Sequence, residues 1–264
     1  MNFVNQKNCK TLLGCLVLGC LSLSLASCTL SEPDADKIIS GSGPIKSIQQ
    51  QLVPSYGVEF EYDSKGRLTE IENRITETEI EISYDPLRLE INHGGDEKLI
   101  MTNISQNSQG YITGCETTER YFDHWINEFV SNTEYQYFEY DSDGHLLLTR
   151  FEGDEEPDHV LTWDGDLLIS TRTDDETISY TYTDLDNTKG IWVPFWVSYD
   201  GTVEMTGLFG KAPGKLVKSS SSNDEYSDFS SLNFSYSLDV ADRISRMTVA
   251  IGDTTPLTFN FNYY

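Results

Sequence analysis

Cys115, with Asp123 and His124 a short way downstream, is the nearest this chain comes to a thiol nucleophile with a base and an orienting acid. Closeness along a chain says nothing about contact across a sheet, and a lone cysteine among strand-forming residues packs as a small hydrophobe. Paired carboxylates could cleave a glycosidic bond, but with 43 acids in the chain no pair can be singled out. Asp141-Ser142-Asp143-Gly144 and Asp184-Leu185-Asp186-Asn187 offer oxygen ligands for calcium, and neither continues to the closing glutamate of an EF-hand. Turn chemistry explains the first and an Asx-type loop the second, so neither a metal nor a cofactor is expected. His93, His124, His145 and His159 are scattered, and His145 reads as a surface residue flanking a turn. Phosphate-cradling glycine loops, nucleophile elbows and paired-histidine zinc helices are absent.

Aromatic residues carry the more specific suggestion. In GIWVPFWVSYDG, alternation puts Ile191, Val193, Phe195, Val197 and Tyr199 on one face and Trp192, Pro194 and Trp196 on the other. Two tryptophans about 13 Å apart on an outer face would make a stacking platform for a glycan or a partner. The competing reading buries the strand on both sides, with both tryptophans packed under a loop. Trp125, in ERYFDHWINEFV, is the third candidate binding residue; that segment fits a short helix, or a strand followed by an aromatic loop, the second being preferred.

The elements that must position these residues are strands. In VEFEYD, EIEISYD and LRLEI, apolar residues alternate with charged ones, which gives each strand one dry and one wet face. FEYDSKGRLTEI, from Phe60, returns as FEYDSDGHLLLT, from Phe138. Each copy opens a type I turn with aspartate (Asp63, Asp141) and ends it with glycine (Gly66, Gly144), so each is a hairpin tip. Further tips are expected at Gly94-Gly95, Asp164-Gly165 and Asp200-Gly201, and Phe234 to Val249 reads as a copy that has lost its glycine. The count is about twelve to sixteen antiparallel strands in an up-and-down meander. Side chains alone fill a closed barrel of about eight strands, so a larger ring must flatten, hold a plug or enclose something.

Lys7 and Lys10 precede the uncharged run Thr11–Ala26, which is too short for a comfortable membrane span and fits a secretory leader. It ends in Leu25-Ala26-Ser27-Cys28, which resembles the lipobox of bacterial lipoproteins and implies cleavage after residue 27 with acylation of Cys28. Residues 28–44, polar and acidic, read as a flexible tether, and residues 45–264 as one domain. Four of the five cysteines belong to the leader or its end, so no disulfide forms within the mature body. The formal charge is −25, and loss of the leader removes only positive charge, which excludes nucleic acid as a partner.

The YDxxG phrases resemble the YD repeats of large secreted bacterial proteins. A closer likeness is to small Gram-negative lipoproteins, chiefly of gut anaerobes, in a family of unknown function with a porin-like fold. It rests on the lipobox, the EYDSDGHL-type hairpins and the late segment GLFGKAPGKL, Gly207 to Leu216. Asp239 to Asp242 departs from the glycine-tipped pattern. The resemblance implies a curled or closed antiparallel sheet.

The sequence therefore leads to a lipid-anchored, outer-membrane-attached β-protein, facing periplasm or cell surface. It is expected to bind a glycan or an envelope protein rather than to catalyse. A polysaccharide hydrolase, an outer-membrane pore and a structural envelope component are the alternatives. A pore is disfavoured because final Tyr264 falls on the Asn260/Asn262 face of the last strand.

Overall fold

The computed structural model describes residues 43–94, 97–123, 126–173, 176–192, 203, 205–224, 231–252 and 254–264. Cys28, His124, Trp125 and Trp196, and the tip expected at Asp200-Gly201, lie outside these residues.

The alternating segments form sixteen strands. The first eight are β1 (Ile45–Gln50), β2 (Gly57–Tyr62), β3 (Leu68–Asn73), β4 (Thr78–Tyr84), β5 (Leu87–Asn92), β6 (Lys98–Gln106), β7 (Ile112–Asp123) and β8 (Glu128–Tyr140). The second eight are β9 (Leu146–Phe151), β10 (His159–Asp164), β11 (Leu167–Arg172), β12 (Thr177–Asp186), β13 (Lys215–Ser222), β14 (Ser231–Leu238), β15 (Ile244–Ile251) and β16 (Leu257–Tyr263). Each strand pairs antiparallel with its neighbours in sequence, and β1 pairs with β16 to close a barrel. Of ERYFDHWINEFV, Glu119–Asp123 end β7 and Glu128–Val130 begin β8, paired antiparallel, so the strand reading of its first half holds.

The dry faces expected for VEFEYD, EIEISYD and LRLEI point inward. Val58, Phe60, Ile71, Ile80, Ile82, Leu89 and Ile91 are buried, while Glu59, Glu61, Glu70, Glu72, Glu79, Glu81 and Glu90 take the outer face. Ile48, Ile71, Ile80, Leu89, Ile91, Ile112, Met247 and Val249 have no accessible surface. A water-wide lumen would leave these side chains exposed, so the walls are pressed together over a filled interior. The outer face differs around the ring. Over β2–β5 the ladder sets glutamates opposite one another, as in Glu61↔Glu70↔Glu81↔Glu90. Over β12–β16 it is hydroxyl and amide, with Thr181↔Ser219↔Asn233 and Thr248↔Thr258. A barrel in lipid has the reverse arrangement, an apolar outer band around a polar lumen.

Candidate functional site

Even-numbered strands end, and odd-numbered strands begin, at one rim of the barrel, and the aspartate turns gather there. Asp63 Oδ1 accepts the amides of Lys65 and Arg67 at 2.8 and 2.9 Å, while its Oδ2 accepts Arg67 Nε at 2.8 Å. Asp141 holds Asp143, His145 and the His145 ring in the same way, and Asp239 holds Ala241 and Arg243. Asp242 takes φ +56° where the other two copies have Gly66 and Gly144, so the copy without glycine keeps its turn. Two more copies begin with asparagine. Asn107 accepts the amides of Gln109 and Tyr111, and Asn187 that of Ile191; Gly110 and Gly190 supply the positive φ.

The aromatic residues toward the ends of the even-numbered strands also have a reason. Tyr62, Tyr84, Tyr140, Tyr182, Tyr236 and Tyr263 each point inward near this rim and donate a hydroxyl to a carbonyl of the strand before, at 2.7–3.0 Å. Trp163 Nε1 does so to Leu146. The long side chain spans the dry face while its polar end satisfies a rim carbonyl that would otherwise lose water. Burial, aided by the neighbouring Tyr264, pushes the Tyr62 phenol up to about 12, so it stays a donor at neutral pH.

Between β12 and β13, residues 187–192 and 205–214 lie along this rim as a strap. Leu208 carbonyl accepts the Ile112 amide, Lys211 amide bonds Gly144 carbonyl, and Gly214 amide bonds Asp166 carbonyl, all at 2.8–2.9 Å. Phe209 drops into the barrel mouth against Phe138, with ring centroids 5.2 Å apart. Gly210 has φ +101°, and a Cβ there would come within 3.0 Å of Gly144 O and Tyr140 Cε1, which accounts for one glycine of GLFGKAPGKL. Lys211 Nζ bonds Asp166 Oδ1 at 2.7 Å, and the same carboxylate oxygen lies 3.2 Å from His145 Nε2.

His145 is 1% exposed, stacked 4.3 Å from the Trp163 ring. It flanks its turn as expected, but the strap and Asp166 bury it, so it is not a surface residue. Asp141, Asp143 and His145 bring ligand atoms within 4.8 Å of one another. Both ring nitrogens already face carboxylates, and Arg67 and Arg243 fill the same position in the sister turns, so turn closure accounts for the cluster.

Between the strap and the first hairpin lies a cavity of about 290 Å³, at the small end of ligand-sized clefts. Phe60, Ile45, Ile191 and Met205 give it an apolar lining; Tyr62, Thr188 and Lys189 give it polar groups. Among the described residues, no carboxylate, histidine or cysteine lines it. Lys189 Nζ donates to Gly43 O at 3.2 Å and sits 5.5 Å above the Tyr263 ring. Lys46 lies 5.4 Å above Tyr264, whose ring meets Tyr62 edge-on.

Trp192 is 4% exposed and packs edge-to-face on Trp163, at 6.2 Å. It follows the Asn187 turn within the strap, where period-two alternation does not apply, and Ile191 beside it is buried too. Trp192 thus presents no outer stacking surface. Trp125 and Trp196 lie outside the described residues, as does His124. Cys115 is fully buried, its Sγ 3.5 Å from Thr117 Oγ1, and burial pushes its thiol pKa up. Tyr62, Lys189 and Met205 were not singled out from the sequence. The signal for Lys189 was present: Asn187-Thr188-Lys189-Gly190 repeats the turn template with asparagine in place of aspartate.

No family model and no curated protein matches the chain. Among solved structures, a porin-like protein from Bacteroides uniformis superposes with a TM-score of 0.57 at 14% identity, covering 85% of this chain and 99% of its own. The fold is porin-like. A second porin-like protein, from Bacteroides vulgatus, gives a TM-score of 0.49 at 13% identity, with 84% of this chain and 99% of that one covered. The porin-like barrel here turns its apolar face inward and bonds strap residues 208, 211 and 214 to one rim.

Proposed function

We propose that this chain is a non-catalytic binding protein of the cell envelope, anchored to the outer membrane through acylated Cys28, and that it takes the end of a glycan in the rim cavity. The cavity carries the reading. It pairs aromatic and aliphatic walls, Phe60, Tyr62, Ile45 and Met205, with the hydroxyls and ammonium of Tyr62, Thr188 and Lys189. Sugars offer both apolar ring faces and hydroxyls, so such a lining suits them. Among the described residues its wall holds no carboxylate, which weighs against paired-acid hydrolysis there. The acidic outer wall of β2–β5 weighs against a spanning pore.

Two experiments test the two halves. Calorimetric titration with glucose, N-acetylglucosamine and their di- and trisaccharides should give binding that Met205→Trp, which fills the cavity, abolishes. Binding by no sugar of the set, or binding indifferent to Met205→Trp, rejects the glycan site. Cys28→Ala should move the protein from the membrane to the soluble fraction, since stable anchoring requires more than one acyl chain on that cysteine; retention in the membrane rejects the anchor.

A further inference from the structure

A closed barrel has no free strand edges, yet this one has an open stretch at the rim opposite the strap. β7 and β8 outrun their neighbours. β6 accompanies β7 as far as Lys98↔Arg120, and β9 accompanies β8 only from Gln136↔Phe151 onward. The last backbone bond across that seam runs from the Glu152 amide to the Tyr135 carbonyl, at 2.7 Å. Tyr135 therefore turns its backbone groups away from β7. The β7–β8 register continues without a shift from Gly114↔Tyr137 to Asp123↔Glu128. Hence Thr133, Ser131 and Phe129 turn their amides and carbonyls the same way. Among the described residues, no backbone or side-chain bond meets that edge from 128 to 134. The stretch is about 23 Å long, and all of it but Val130 is exposed.

Native proteins usually blunt such an edge with proline, lysine or a bulge. Here the edge reads Glu128-Phe129-Val130-Ser131-Asn132-Thr133-Glu134, with no proline, lysine or bulge and with charge only at its two ends. We infer that β8 is a docking edge that takes an extended segment of a partner protein as an added strand, with lysine or arginine alternating with β-branched residues. The two faces set that chemistry. Phe129, Ser131 and Thr133 share the face with Phe122 and Arg120, where a β-branched neighbour packs on Phe129, which is 45% exposed. Glu128, Asn132 and Glu134 share the other face with Glu119. Burial together with Glu97 and Glu134 pushes the Glu119 carboxyl pKa up, and among the described residues no cation pairs with Glu119, Glu128 or Glu134. Basic side chains opposite Glu128 and Glu134 would supply one. A second copy is a poor occupant, because antiparallel pairing about Ser131 sets Glu128 against Glu134 twice. The inference concerns the rim away from the cavity and does not depend on the glycan reading.

The probe is a capped seven-residue peptide alternating lysine and valine, labelled and titrated by fluorescence polarisation at physiological salt. Its counterpart is the same peptide N-methylated at alternate residues, equal in charge but unable to donate to the edge. We expect the N-methylated peptide, and Ser131→Pro with the unmodified peptide, each to bind about tenfold more weakly through lost backbone bonds. Ser131→Pro removes only an outward amide and should leave the melting temperature in place. Equal affinity for the two peptides would mean attraction by charge alone and would overturn the edge; that comparison uses the unaltered protein and stands whether or not the proline variant folds. Loss of affinity in Glu134→Lys supports the assigned face, and concentration-dependent dimerisation of the free protein overturns the choice of occupant.

Discussion

Asp239→Asn isolates what one of the rim turns contributes. The Asp239 carboxylate accepts Ala241 N, Arg243 N, Arg243 Nε and Arg243 Nη2 at 2.6–3.1 Å, and the two side chains are only 9% and 8% exposed. Burial by itself would raise the carboxyl pKa, but these bonds outweigh it and bring it from 3.8 down to about 2. A carboxyl whose folded pKa lies below its unfolded one stabilises the protein above the unfolded value. That stabilisation is lost as pH falls from about 4 through about 2. At about 1.4 kcal/mol per pH unit, the pH-dependent part is about 2 kcal/mol. Asparagine keeps the shape and can still accept a backbone amide, but it removes the charge that faces the buried Arg243 guanidinium, which adds a loss that does not depend on this titration. Urea unfolding of the two proteins, run in parallel from pH 7 to pH 2, cancels the acids they share. The wild type should be more stable by at least about 2 kcal/mol at pH 7, and the gap should narrow by about that amount at the acid end. A gap that stays constant across the range would refute the claim that this carboxylate is held ionised by its turn.

Gly66→Val and Gly144→Val both force a β-branched residue to positive φ, a strain of about 1–3 kcal/mol, yet they should differ. A Cβ at Gly66 meets open space, whereas at Gly144 it comes within 2.7 Å of Tyr111 Cε2. Thermal melts should therefore drop further for Gly144→Val, and equal drops would reject the packing described at that tip. Glu70 sits in the outer glutamate ladder, and its pKa is raised first by burial and then by Glu61, Glu79, Glu81 and Glu72. A raised folded pKa means that stability is lost as pH rises through it. Glu70→Gln should accordingly stabilise the barrel at pH 7 by about 0.2–1 kcal/mol and lose that advantage near pH 4. A variant no more stable than wild type at pH 7 would contradict it.

Alternation and turn chemistry are local, and the sequence shows them: the strands, their inward residues and the Asp63, Asp141 and Asp239 tips all follow from a few neighbouring residues. Closure is not local. It depends on Ile48 meeting Phe261 across more than two hundred residues, a register no short pattern encodes. The turns led by Asn107 and Asn187 escaped notice because asparagine can cap a turn as aspartate does without looking like a copy of it. The cavity was invisible for a further reason. Its walls come from the first hairpin and from Met205 and residues 188–191, and neither segment carries a mark of the other. Strand periodicity gives Trp192 an outer face, but residues 191–192 are not in a strand, so the alternation does not apply to it.

The pairing of β1 with β16 has one more consequence. Gly43 and Tyr264 exchange a backbone bond at 3.0 Å, so the wall has no seam at which covalent order matters. Replacing the segment before Gly43 by a short linker from Tyr264 and opening the chain within the exposed acidic loop 152–156 would preserve all sixteen ladders while placing the new termini at the opposite mouth. In such a ring the place where translation starts is an accident of connectivity, and circularly permuted descendants would be isostructural with the parent.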